Sequence, residues 1–513
     1  MKIVLYDTTL RDGAQTPGVS YSPEHKILIA KKLHSLGFDY IEGGWPGASP
    51  MDTAYFQGIK EPLRSRTTAF GMACNPDMEA VDDPQLQALI DSKAPSVTIY
   101  GKSWKLHVRD VIKTTDDKNI KSIRNSVKFI RDKGRKPFYD AEHFFDGYRD
   151  DRDYALATLK AAEEGGASTI VLCDTNGGST PEFIYEAVKD VKSKISVPLG
   201  IHAHNDSDLA TINTIYAVLA GAEHVQGTVN GEGERTGNLA FVKFLPTAKL
   251  KYGIDFELDL SKLSELSEYV ASINKFEPHP STPYVGRNAF RHKGGSHVDA
   301  VLKNPHAYEH TDPSLVGAER SFDDLSEQAG KAALLKKAQE FGYNKINKKD
   351  PRVKGMLRHV KKNQLFGSAQ AYLMFYEFIE NGEAPFEIID YRTVLGKNRE
   401  PCSSIKLQLA QQEFHEAATG NGPVNAFELV LKKALRHKHP DAEKIKIIDY
   451  KVKLPPMELG SEAFVDVLIT LGANSEQWTS YARGTDVVEA SEKALIDGYK
   501  YWLIRHVLKR KNK

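Results

Sequence analysis

Short β-rich apolar runs alternate with longer amphipathic stretches over the first 240 or so residues. The runs are Lys2–Thr8, Tyr40–Pro46, Thr67–Ala73, Ser96–Gly101, Lys136–His143, Thr169–Asn176, Pro198–Asn205 and His224–Val229. Between them the apolar positions fall at helical spacing. In Pro23–Gly37, Ile27, Ile29, Ala30 and Leu33 can share one face, and Ser179 and Thr180 are cap candidates for a helix over Pro181–Ser193. Strands alternating with helices imply a parallel sheet, and eight such units in this length fit a closed (β/α)8 TIM barrel better than an open doubly wound sheet.

From Ile254 to about Asn381 the strand pattern fades into helices and loops. Five histidines fall between His279 and His310, and Lys331–Lys362 is lysine-rich in the manner of a solvated helical face. The C-terminal third repeats itself: Glu387–Leu395 (EIIDYRTVL) resembles Lys446–Leu454 (KIIDYKVKL). Each is followed by a second strand-like run, Ser404–Leu409 or Ala463–Leu471, then by a third and an amphipathic helix expected to start at Thr419-Gly420 or Arg483-Gly484. Two βββα units that cannot each cover a sheet face are expected to pair. The expected division is a barrel over residues 1–265, helical connecting subdomains over 266–381 and an α+β domain over 382–513. The last has no cluster of reactive side chains, which suits binding or regulation.

Charge and cysteine content narrow the function classes. Across 513 residues, 69 Lys plus Arg against 68 Asp plus Glu leave a net +1, no global field for nucleic acid or an anionic membrane. Asp7 interrupts the first apolar run and no stretch of about 18 apolar residues follows, so the expectation is a cytoplasmic protein. Cys74, Cys173 and Cys402 are far apart and lack CxxC spacing. Any metal must then be held by nitrogen and oxygen.

In a (β/α)8 barrel the reactive groups collect where strands end and βα loops begin. The first strand leads into Asp7-Thr-Thr-Leu-Arg11-Asp12-Gly-Ala-Gln15. Arg11 and Asp12 are either a structural ion pair, or a cation for a carbonyl or carboxylate beside a metal ligand. The seventh ends in His202-Ala203-His204, where residues i and i+2 project to one side and both imidazoles can reach one ion, although buried structural histidines are common. After the eighth, Asn230-Gly-Glu232-Gly-Glu234-Arg235-Thr-Gly-Asn238 is either a capped turn stiffened by an ion pair or a loop that delivers Asn238 as a further oxygen ligand. Glu142 ends the fifth strand, where a carboxylate is costly unless paired or functional, so it is an acid/base candidate. Thr175, at the end of the sixth, is a helix-cap group or a hydroxyl for a substrate carboxylate. Together Asp12, His202, His204 and Asn238 make an N2O2-type set with room for water and a chelating substrate, suited to Mn, Co, Zn or Mg.

DTTLRDGAQ at Asp7–Gln15, HAHND at His202–Asp206 and GEGERTGN at Gly231–Asn238 resemble the signature motifs of the metal-dependent Claisen-condensing enzymes, which include the 2-isopropylmalate, homocitrate and citramalate synthases. The likeness spans nearly the whole chain, because that family also has a helical connecting region and, in many members, a C-terminal allosteric domain of two βββα repeats. Glu42-Gly-Gly-Trp45-Pro46-Gly, Ala141-Glu142-His-Phe-Phe-Asp146-Gly and Leu172-Cys-Asp-Thr175-Asn-Gly-Gly look most like its citramalate branch.

The resemblance implies that Asp12, His202, His204 and Asn238 hold the metal and that Arg11, Asp12 and Thr175 meet the 2-oxo acid. Glu142 would serve acid/base chemistry. Gly294-Gly-Ser-His297 and Ala307-Tyr308 resemble segments that bring a catalytic His and Tyr over the barrel mouth of a partner subunit in a homodimer. The implied reaction joins acetyl-CoA to pyruvate and releases CoA, with an enolising base in Glu142 or a His297/Tyr308 relay. It opens a route to isoleucine, which is the expected effector of the C-terminal domain. The nearest rival is the 2-isopropylmalate reaction on 2-oxoisovalerate. A lyase like hydroxymethylglutaryl-CoA lyase would carry a reactive cysteine late in the barrel, whereas no Cys stands between Cys173 and Cys402.

Overall fold

The computed structural model describes residues 2–508 apart from 277, 323–324, 326–328, 364–366, 398, 410 and 455–462. All eight expected strands form: β1 (Val4–Asp7), β2 (Tyr40–Gly44), β3 (Thr67–Met72), β4 (Ser96–Lys102), β5 (Lys136–Glu142), β6 (Thr169–Asp174), β7 (Leu199–Ala203) and β8 (His224–Gly227). They pair in chain order, all parallel, and β8 closes the barrel on β1 with Val4 opposite His224 and Asp7 opposite Gly227. β6 and β7 are buried at every position, as strands are when helices cover the outside and side chains fill the inside.

Aromatic rings plug the start of the barrel. Phe138 meets Tyr40 edge-on at 4.9 Å and Tyr6 at 5.8 Å, and His224 packs among them.

The helices follow their capping residues. The first, Pro23–Leu36, opens after Ser22, whose side chain accepts from the His25 N–H, and buries Ile29, Ala30 and Leu33, with Ile27 half-buried. It stops at Gly37, in the left-handed region at φ 100°, where a Cβ would stand 2.6 Å from the Glu257 carbonyl oxygen. Of the two candidates ahead of Pro181–Lys192, Thr180 is the cap, while Ser179 donates to Asp174 at 2.9 Å. Residues 1–290 and 311–320 form one compact unit around the barrel.

Residues 291–310 and 321–513 form a second unit. The connecting region is not free of strands: β9 (Arg291–His292) and β10 (Ser321–Phe322) make a short parallel pair. The lysine-rich stretch is two helices, Lys331–Glu340 and Arg352–Asn363. Leu334, Ala338, Val353, Met356 and Val360 are buried in a small core with Met374 and Phe375, and the lysines take the remaining faces.

The C-terminal repeat is real. β11 (Glu387–Val394), β12 (Cys402–Leu409) and β13 (Gln412–Thr419) form one antiparallel sheet, and β14 (Lys446–Lys453), β15 (Val465–Ala473) and β16 (Glu476–Gly484) form another. The likeness extends to a register irregularity at Ile388/Asp390 in one and Ile447/Asp449 in the other. Leu407, Val430 and Leu431 share a core with Val467, Ile469, Leu495 and Tyr499, so the two units pair as expected. The expected helix starts were early. Thr419 pairs with Cys402 and Gly484 with Val465, which commits both to the sheets, and the helices run Pro423–Leu435 and Val487–Trp502. Among the described residues no helix is long and apolar enough to cross a membrane.

Candidate metal centre and active site

The ends of the barrel strands enclose a cavity of about 200 Å³ lined by Arg11, Asp12, Asp140, Glu142, Thr175, His202 and His204, with Trp45, Phe70 and Tyr100 on its wall. Strand alternation puts His202 and His204 on one side, as expected, and their Nε2 atoms lie 3.3 Å apart. His202 Nε2 is also 3.3 Å from Asp12 Oδ2. These three buried residues form the one group of at least three His, Cys, Asp or Glu side chains, among those described, that could share an ion.

The charges in this cluster are mutually adjusted. Burial alone would push the Asp12 carboxyl up, but Arg11 and the two histidines hold it well below the usual carboxylate range. For His204, burial and then the charge of His202 push the pKa down to about 3. Burial acts the same way on His202, yet its hydrogen bond to Asp12 prevails and the pKa rises.

Asn238 joins the cluster through its loop. Residues His204 and Asn238 form an antiparallel bridge, and the Asn238 side-chain NH2 donates to the Glu232 carbonyl at 3.1 Å. Its Oδ1 is left buried with no hydrogen-bond partner, the condition of an oxygen waiting for a cation. The loop needs Gly237 at φ 92°, where a Cβ would stand 1.9 Å from the Gly231 carbonyl oxygen. Two imidazoles, a carboxylate and an orphaned amide oxygen fit a divalent cation, and they leave positions open for other ligands.

Arg11 pairs with Asp12 at 3.4 Å, but its closer partner is Glu42, which takes a hydrogen bond from Nε at 2.5 Å. Glu42 is fully buried and also accepts from the Tyr6 hydroxyl at 2.7 Å. The guanidinium carbon sits 3.7 Å from the centre of the Phe70 ring. Arg11 is therefore held on three sides with its charge reinforced.

Glu142 is paired across the strand with Lys102 of β4, which meets the condition set for a carboxylate at that place. Asp140, two residues earlier on the same face, is buried, and burial followed by the charge of Glu42 pushes its carboxyl up to about 7. Thr175 lies one residue past β6, where its hydroxyl oxygen accepts from the His143 N–H at 2.9 Å. It caps no helix. With the oxygen engaged by a donor, its own proton is available to the cavity. Arg235 does not pair with Glu234 inside its turn; it reaches Asp206 with two bonds of 2.8 Å and donates to the Thr175 carbonyl at 2.7 Å.

His297 and Tyr308 belong to the second unit. They lie on and just beyond the helix Gly295–Lys303, both exposed, with their rings stacked at 4.0 Å. Sequence reasoning brought out Arg11, Asp12, Glu142, Thr175, His202, His204 and Asn238; the structure sets the first six around one cavity and bridges Asn238 to His204. It missed Glu42, Lys102, Asp140 and Gln226. Asp140 was accessible from strand alternation, since it shares the face of Glu142.

A closed (β/α)8 barrel with this mouth, in a chain whose residues 2–270 match the HMGL-like family model, places the protein among the HMGL-like barrel enzymes. Residues 284–365 match the homocitrate synthase post-HMGL domain-like model, and 366–503 the LeuA allosteric (dimerisation) domain. The (R)-citramalate synthase of Aquifex aeolicus is 42% identical over 98% of this chain and 98% of its own. The enzymes of that name from Sulfolobus acidocaldarius and Geobacter sulfurreducens are 41% and 39% identical, each over 98% of this chain and 97% of theirs. The chain belongs to the (R)-citramalate synthase family.

Proposed function

We propose that this protein condenses acetyl-CoA with pyruvate to give citramalate and CoA, using a divalent metal ion held by Asp12, His202, His204 and Asn238. The observation that carries the reading is the convergence of Arg11, Glu142 and Thr175 with the Asp12-His202-His204 group around one cavity of about 200 Å³. When bound, an ion of this kind supplies Lewis acidity toward a chelated 2-oxo acid.

The protein's own groups do the rest. The Thr175 hydroxyl donates to the acceptor's carboxylate. Glu142 takes a proton from the methyl group of acetyl-CoA, and the freed electron pair forms the new carbon–carbon bond at the keto carbon. The keto oxygen collects the displaced charge, which Arg11, preset by Glu42 and Phe70, faces without having to reorganise, and the proton taken by Glu142 is then returned to that oxygen as the product hydroxyl. Water then cleaves the thioester C–S bond, and CoA leaves with a proton. His297 and Tyr308 serve the proton transfers from a neighbouring copy of the chain.

The aromatic wall favours a short acceptor, since one methylene is worth about 1–3 kcal/mol of discrimination. Residues 1–265 carry the chemistry, 266–381 connect, and 382–513 dimerise the chain and bind an effector, isoleucine, in a cytoplasmic enzyme. The LeuA-type match over 366–503 supports the role given to the C-terminal part, as do the exposed Ile389, Leu395, Ile448 and Leu454 on and beside β11 and β14. The test is thiol release from acetyl-CoA with Mn²⁺ and pyruvate, 2-oxobutyrate, 2-oxoisovalerate or 2-oxoglutarate. Pyruvate is expected to be fastest; preference for 2-oxoisovalerate would reassign the acceptor, and no release with any of the four would end the synthase reading.

A further inference from the structure

Behind the metal-ligating histidine runs a buried chain of side chains that the mechanism above does not use. Gln226 of β8 is fully buried and Asp140 of β5 nearly so. These strands are not neighbours in the barrel, so the two side chains meet across its interior. The Gln226 Nε2 donates to Asp140 Oδ1 at 3.1 Å, and Gln226 Oε1 meets His202 Nδ1 at 2.9 Å.

An amide has donors only at its nitrogen and acceptors only at its oxygen. The carboxylate oxygen of Asp140 therefore turns the NH2 end of Gln226 toward itself and the carbonyl end toward His202. A carbonyl facing Nδ1 holds a proton there, so Nε2 is the nitrogen that gives up its proton and offers its lone pair to an ion. Nε2 is the atom that faces Asp12 and His204 at 3.3 Å. Neither Asp140 nor Gln226 lies in the three motifs on which the family resemblance rests.

We propose that Asp140 and Gln226 are positioning residues that fix the tautomer and ring orientation of His202, so that the metal centre is preset before any ion arrives. Outer partners of this type set metal affinity through ligand orientation and basicity, commonly by 10- to 100-fold. The inference rests on the metal reading above.

The test uses the full-length protein without substrate, with Mn²⁺ as the probe and free Mn²⁺ counted by electron paramagnetic resonance. The wild-type chain is expected to bind one ion per subunit at a site that His202→Ala removes. Gln226→Met, similar in shape but without the amide, is expected to bind about 10- to 100-fold more weakly. Asp140→Ala lets the amide turn over and should also weaken binding, whereas Asp140→Asn, which keeps an acceptor oxygen for Gln226 Nε2, should restore it.

If the wild-type chain binds no Mn²⁺, the metal reading itself fails. If it binds and Gln226→Met binds equally well, the positioning role is wrong. If Asp140→Asn is as weak as Asp140→Ala, Asp140 acts through its charge and the hydrogen-bond relay is overturned. Should Gln226→Met not fold, the contrast between the two Asp140 variants still decides.

Discussion

Glu42 offers a direct test of how Arg11 is held. The Arg11 and Glu42 side chains are 13% and 0% exposed, and the next carboxylate, Asp12, is 3.4 Å from the guanidinium. Glu42→Ala strands a buried cation, and breaking such a pair costs about 3–5 kcal/mol. Part of that will appear as lost stability and part as movement of Arg11 away from Phe70. A displacement of about 1 Å in a charge-stabilising group lowers turnover roughly 10²-fold, or about 2.7 kcal/mol of barrier. Glu42→Gln is the informative partner. Its amide oxygen can accept from Arg11 Nε while its NH2 donates to the Tyr6 hydroxyl, which passes its own proton to Thr98 at 2.6 Å. Every hydrogen bond is remade and only the charge is lost, so the loss should stay under about tenfold. The assay is initial-rate CoA release at saturating acetyl-CoA with pyruvate varied, and thermal unfolding of each variant as the control. A folded Glu42→Ala enzyme within about threefold of wild type, or a Glu42→Gln enzyme as impaired as Glu42→Ala, would refute the reasoning.

Three other outcomes are expected. Because His204 is already neutral at working pH and His202 holds a proton toward Asp12, metal affinity should rise with pH and level off above the His202 pKa. Calorimetry in buffers of different ionisation enthalpy should find about one proton released per ion below that point, and release of two would contradict the assignment. Ile389 and Ile448 are 44% and 53% exposed on β11 and β14. Replacing both by Asp removes about 1.5–3 kcal/mol of burial apiece and should yield monomers in light scattering, whereas an intact dimer would move the interface elsewhere. Finally, Arg11→Ala and His297→Ala, each inactive alone, should regain about a quarter of wild-type activity after co-refolding if sites are shared between subunits, and no recovery would confine each site to one chain.

Much of this was legible because strand and helix periods differ and because barrels put chemistry at strand ends. The two histidines of His202-Ala203-His204 had to share a side once β7 was a strand, and Asp12 and Glu142 had to face the mouth once β1 and β5 were barrel strands. What stayed hidden depends on neighbours distant in sequence. Nothing near Arg11 announces that its counter-ion is Glu42, 31 residues away, nor does anything near Glu142 single out Lys102. The turn around Arg235 suggested an ion pair within the turn, but the barrel gives Arg235 a partner outside it, Asp206. In the repeats, helix starts read from Gly420 and Gly484 were early because cross-strand partners hold β13 and β16 in the sheet to Thr419 and Gly484, a constraint that local sequence does not record.

The central claim is that this barrel joins an acetyl methyl carbon to a keto carbon. The most direct measurement supplies acetyl-CoA labelled with ¹³C at the methyl group, unlabelled pyruvate and Mn²⁺, and follows the label by NMR alongside free thiol. The account predicts a methylene signal of citramalate growing in step with released CoA and absent in Arg11→Ala. Label recovered as acetate, with CoA released at the same rate when pyruvate is omitted, would show a thioesterase and contradict it.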